Sequence, residues 1–295
     1  MRTVCLVLLA TIAASAASAA VYVPIADVPG GTNTAVVGLN NKNRITGYYY
    51  TGAISHGFVG PVGGPYETFD VGADRTLPFG INSAGTIVGN AGDPDESGLN
   101  VAFERWPDGK TVLVTKDHEF MLDGQTRGIS NSGVFVGYGF QTSDTDLQSY
   151  YGSKGHYTGA LTISQSPTPV PRAINASGVV VGYFPTTSEG HGFVHHGFIL
   201  SGGVSTELDY PDPRNYGGTD LNGINDDGVI AGDWFDTRGR PHAFKYDMGT
   251  ATYTPLHLPG TLYSQAWGIN AKGLIVLTSG IGSSLYCPTA RVCPL

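Results

Sequence analysis

Gly80-Ile81-Asn82-Ser83-Ala84-Gly85-Thr86-Ile87-Val88-Gly89 returns along the chain, and that return points to the fold. Copies start at Gly38, Gly80, Gly128, Ala173, Gly223 and Gly268, the outer two having drifted furthest. Measured from the second residue of each copy (Leu39, Ile81, Ile129, Ile174, Ile224 and Ile269), the intervals are 42, 48, 45, 50 and 45 residues. A period of this size suits one four-stranded propeller blade. The prediction is an all-β chain, a six-bladed β-propeller spanning residues 21–295.

Within each copy the residues between Asn and the aliphatic run form turns: Ser83-Ala84-Gly85, Ala176-Ser177-Gly178, Asp226-Asp227-Gly228. Glycine in the last place permits the positive φ of a tight hairpin, so a strand is expected on either side. A third strand is marked by His-Gly/Ala-Phe at His56, His196 and His242, with Val101-Ala102-Phe103 as a variant. In the third copy His156-Tyr157 is read as the remnant of that triplet, and the sixth copy lacks it. A Thr-rich alternating run ending near an acid, such as Glu67-Thr68-Phe69-Asp70, supplies the fourth strand.

The sixth copy has residues for three strands only. Tyr22-Val23-Pro24-Ile25, near the N-terminus, matches Tyr253-Thr254-Pro255-Leu256, the fourth strand of the fifth copy. Residues 22–26 are therefore expected beside residues 283–287, which closes the ring and removes its open edges.

Residues 1–20 combine Arg2, an apolar run from Val4 to Ala14 and a small-residue end, the layout of a signal peptide; the protein is expected to be secreted or periplasmic. Loss of the leader removes Cys5 and leaves Cys287 and Cys293, expected to form a disulfide in an oxidising compartment. No later stretch has the roughly 18 apolar residues of a membrane span. The formal charge of −8, deepened by loss of Arg2, disfavours nucleic acid and anionic membranes as partners. Charged residues make up 14% of the chain against 43 glycines, a composition for short strands and tight turns rather than long helices. A monomer is expected.

The His-Ala-Phe triplet and the spacing around it resemble the bacterial extracellular HAF-repeat family over nearly all of the processed chain. The resemblance implies a propeller and export. It implies no activity.

A residue present in most copies is read as structural, so the triplet histidines and the Asn of the motif are assigned to hydrogen bonds within their own repeats. Function is sought where copies differ. The residue before the motif Gly or Ala runs Val37, Phe79, Arg127, Arg172, Asn222 and Trp267. Arg127 and Arg172, in adjacent repeats, offer two planar guanidiniums for a carboxylate, uronate or phosphate. The connections add Trp234, Tyr216, Tyr263 and Arg75, an aromatic and polar set suited to sugars. Tyr48, Tyr138 and Tyr183 share one repeat position and are assigned to packing. Asp220, Glu189 and His191 are the catalytic candidates, with Glu189, His191 and His195 expected on an inserted loop. Asp93, Asp95, Ser97 and Glu104 have a spacing like that of a calcium loop, so calcium is the one cofactor suggested and none is required.

Phosphate loops, dinucleotide fingerprints and the Gly-x-Ser-x-Gly elbow are absent from the sequence. The reading is a propeller that binds a carbohydrate or small anionic ligand at the channel mouth. Two alternatives stand beside it: a carbohydrate-active enzyme, either a polysaccharide lyase or a glycoside hydrolase, and a scaffold for another protein.

Overall fold

One plan builds the turn at the start of every repeat. In the fifth, Asn225 Oδ1 accepts the amides of Asp227 (3.1 Å) and Val229 (2.8 Å), and Gly228 takes φ 78°. The same Asn-centred turn is made by Asn40, Asn82, Asn175 and Asn270. It satisfies backbone donors that the hairpin leaves free, which is why Asn recurs there.

The computed structural model describes residues 19–72, 74–92, 100–116, 119–141, 148–188, 192–212 and 214–294. Strands pair antiparallel in groups of four that follow the sequence repeats. The first repeat holds Thr32–Leu39, Arg44–Thr51, Ile54–Pro61 and Glu67–Phe69, and the second Thr76–Ile81, Ile87–Gly92, Asn100–Arg105 and Thr111–Leu113. The third holds Glu119–Ile129, Phe135–Gln141, Gln148–Ser153 and His156–Ala160. Val170–Ile174, Val180–Ser188, Gly192–Ser201 and Val204–Glu207 make the fourth, and Gly218–Ile224, Val229–Phe235, Pro241–Asp247 and Thr252–Pro255 the fifth. The sixth contributes Gln265–Ile269, Ile275–Ser279 and Gly282–Cys287. Its outer strand is Val21–Pro24, registered Val21 to Cys287 and Pro24 to Ser284, and Cys287 is bonded to Cys293. The predicted pairing of chain ends and the predicted disulfide are both present. Of the expected leader, residues 1–18 lie outside the described residues.

The core lies between repeats. Each cluster of buried apolar side chains draws on two successive repeats, and one joins Val36, Leu39 and Phe58 of the first to Leu274, Val276 and Leu285 of the sixth. Phe58, Phe103, Phe198 and Phe244, the aromatic ends of the triplets, are fully buried, each gaining about 1.5–3 kcal/mol from the transfer.

The register corrects two expectations. Gly137 pairs with Tyr150, so Gln148-Ser149-Tyr150 holds the triplet position in the third repeat and His156-Tyr157 lies on the next strand. None of Gln148, Ser149 and Tyr150 keeps the triplet's own residue, so the sequence does not mark the position. In the fourth repeat the insertion lengthens a hairpin: Pro185 pairs with His195 and Phe184 with His196, so His195 is a strand residue and not part of a loop. His196 is the in-register histidine, as expected.

The motif glycines let the inner strands approach one another. A Cβ on Gly128 would sit 2.6 Å from Ala173 Cα and 2.8 Å from the Arg172 carbonyl oxygen. One on Gly223 would collide with the Trp267 carbonyl.

Candidate functional site

Because the motif glycines bring the inner strands together, the residue before each glycine faces a shared space. Val37, Phe79, Arg127, Arg172, Asn222 and Trp267 line one cavity with the motif residues below them. The ring has two halves. Trp267, Val37 and Phe79 make an apolar arc, and Arg127, Arg172 and Asn222 a polar one. The cavity is about 100 Å³, below the ~300–1,000 Å³ of sites that engulf a small molecule, so it admits a small group rather than a whole sugar.

Arg127 lies with its guanidinium carbon 3.9 Å over the Phe79 ring. Burial, and then the charge of Arg172, lower its pKa from 12.5 to about 10, which still leaves it a cation at neutral pH. Arg172 sits 5.0 Å over the Tyr183 ring and reaches Asp220 Oδ2 only at 3.9 Å. The Nε atoms of both arginines are buried and have no hydrogen-bond partner, and the same holds for Asn222 Oδ1. Buried polar atoms are normally paired, and three of those left without a partner lie around this one cavity.

Next to this arc Asp220, 6% exposed, bonds His195 Nδ1 through Oδ1 at 2.7 Å. The imidazole stacks on Tyr183 with centroids 4.0 Å apart. Asp233 is fully buried; burial first, with the charge of Asp220 adding to it, pushes its carboxyl well above the usual range. It accepts the Ala266 amide at 2.6 Å and Asn222 Nδ2 at 2.8 Å.

Arg127, Arg172, Asn222 and Trp267 are therefore brought together, with Asp220 beside them. The connection residues are elsewhere. Trp234 and Tyr263 line a separate groove of about 430 Å³ with Tyr210, Arg214, His242 and His257. There Trp234, only 5% exposed, stacks on Tyr210 (5.5 Å) and on His242 (4.3 Å), so its ring is not open to a ligand. Tyr216 is exposed on the connection leading into the fifth repeat, and Arg75 donates to Asn100 Oδ1 at 2.6 Å. Glu104 is buried and accepts the Gly155 amide at 2.7 Å. Asp93, Asp95, Ser97, Glu189 and His191 lie outside the described residues.

The triplet histidines bond within their repeats. His56 joins Asp70 (2.8 Å) and Thr51 (2.7 Å), and His196 joins Asp209 (2.7 Å) and Thr186 (3.1 Å). His242 takes Asp236 at 3.2 Å, since His257 follows its outer strand where the first and fourth repeats place Asp70 and Asp209. The role of the motif Asn goes further than its turn. Asn40 Nδ2 donates to the Asn82 carbonyl, Asn82 to Ser130, Asn175 to Asn225, Asn225 to Asn270, and Asn270 back to Asn40. Neither this relay nor the His195–Asp220 pair was anticipated from the sequence.

No family model matches this sequence, nor does any curated protein sequence. Similar solved structures exist. A streptogramin B lyase structure shares 12% identity over 90% of this chain and 97% of that one, with a TM-score of 0.47. TolB from Acinetobacter baumannii shares 12% over 83% of this chain and 64% of its own, with a TM-score of 0.50. The WD40 beta propeller domain of Doa1 shares 8% over 92% and 98%, with a TM-score of 0.40. At such identities the likeness is one of fold alone. The chain is an all-β, propeller-type scaffold of four-stranded sheets, and no helix among the described residues is long and apolar enough to cross a membrane.

Proposed function

We propose that the protein is an exported, six-bladed propeller of the HAF-repeat kind that binds the acid group of a small anionic ligand, such as a sugar acid, at Arg127 and Arg172. The observation that carries the reading is the pair of partly buried arginines whose buried Nε atoms have no partner on one cavity. Two partly desolvated cations side by side attract an anion, and planar guanidiniums suit a carboxylate or phosphate. The small cavity takes the acid group, leaving the rest of the ligand at the mouth. The unbroken Asn order from repeat one to repeat three, and from four through six back to one, supports the count of blades. The disulfide supports export.

A second reading, a scaffold for another protein, draws on Ile54, Phe193, Tyr216, Leu262, Tyr263 and Ile281, exposed apolar residues away from the Asn turns. Thermal unfolding with glucuronate, galacturonate, phosphate, glucose or calcium separates the ideas. The proposal expects a rise in midpoint with the anions that is lost in Arg127→Gln and absent with glucose. A midpoint indifferent to every anion would contradict it.

A further inference from the structure

The ionisable groups left unused by simple anion binding gather on one side of Arg172. Asp220 sits between the Arg172 guanidinium and the His195 imidazole, at 3.9 Å and 2.7 Å. Tyr183 backs both, stacked on His195 and lying under Arg172. His195 differs from His56 and His196 in one respect that matters chemically, whereas His242 likewise engages a single ring nitrogen, Nε2, on Asp236. In His56 and His196 both ring nitrogens are engaged. His195 uses only Nδ1 among the described residues, and its side chain is 30% exposed. A carboxylate on Nδ1 holds the proton there and leaves Nε2 as an oriented lone pair.

We propose that His195, positioned by Asp220, is the base of an eliminating site for uronate-containing glycans, with Arg172 and Arg127 holding the uronate carboxylate. The inference rests on the anion-binding reading above. Cations on the carboxylate acidify the neighbouring C–H bond by stabilising the charge that develops when its proton leaves. His195 Nε2 takes that proton, and the released electron pair forms the C=C bond. The bond from the adjacent ring carbon to the glycosidic oxygen breaks, and the imidazolium returns its proton to that oxygen. One chain becomes two, an unsaturated uronate and a new hydroxyl end, with no oxidant, water or metal consumed. Paired-carboxylate hydrolysis fits less well, because Asp220 is committed to His195 and Asp233 is sealed behind Asn222 and Ala266.

The test incubates the processed protein with polygalacturonate, alginate and hyaluronan oligosaccharides and follows near-ultraviolet absorbance and reducing ends together, with binding measured by calorimetry. The expected result is absorbance from at least one uronate. His195→Ala should lower that rate at least ~100-fold while keeping the binding heat, and Arg172→Gln should lose both. His195→Gln, which can keep a hydrogen bond to Asp220, should be as slow as the alanine variant and guards against a folding defect. Uronate binding without absorbance from any substrate would overturn the elimination and leave the binding proposal standing. Absence of binding as well would overturn both. Undiminished turnover in either His195 variant would remove His195 from the chemistry.

Discussion

The same six inner strands carry two layers that behave in opposite ways. In the turn layer Asn40, Asn82, Asn175, Asn225 and Asn270 are alike, and each ties its own hairpin and donates to the next repeat. Three residues earlier, the ring of Val37, Phe79, Arg127, Arg172, Asn222 and Trp267 holds five residue types in six places, and both arginines and the asparagine keep unpartnered atoms. Repetition therefore marks assembly, and departure from repetition marks chemistry. The contrast can be tested from both sides.

The largest effect should come from blocking the close approach that supports both layers. Gly128→Val places carbon against Ala173 and the Arg172 carbonyl and should cost about 3 kcal/mol, read as a lower denaturant midpoint. Asn225→Ala strips three hydrogen bonds from the turn layer and should cost ~2–3 kcal/mol; Arg127→Gln in the ring should cost little stability yet abolish anion binding. If the two variants behaved alike, the distinction between layers would fail.

A smaller effect concerns Asp233. Its folded pKa is raised above the unfolded value of ~3.9, so the folded state binds more protons in between. The stability it contributes is complete below the unfolded value and is lost as pH rises through the folded one. Midpoints measured upward from pH ~4 should fall, by up to ~1.4 kcal/mol for each pH unit within that window, and Asp233→Asn should flatten the slope. The smallest effect should be a gain. Ser130 holds the Asn position in the third repeat, and its hydroxyl turns to Ser132 and Val134. Ser130→Asn should complete the relay toward Asn175 and add ~0.5–1.5 kcal/mol.

Much of this was legible in the sequence. The turn glycines, the period and the match between residues 22–25 and 253–256 led to strands, repeats and closure because each is local or repeated chemistry. The ring was found the same way, by aligning copies and reading the one column that varied. His195 is harder to read, since it stands beside an in-register histidine and looks like its duplicate; only its pairing with Pro185 and Gly218 places it within a strand, where its Nδ1 meets Asp220. Trp234 and Tyr263 were grouped with the channel because connections on one face look equivalent in sequence. The stacking of Trp234 on Tyr210 and on His242 decides its place, and that depends on contacts that composition does not encode.

The claim on which the account turns is that the varied ring binds an anion. Calorimetric titration of glucuronate into the processed protein and into an Arg127→Gln, Arg172→Gln double variant tests it most directly. Saturable heat is expected for the parent and none for a variant that unfolds cooperatively and keeps its strand content; equal heats from the two proteins would rule out anion binding by the ring.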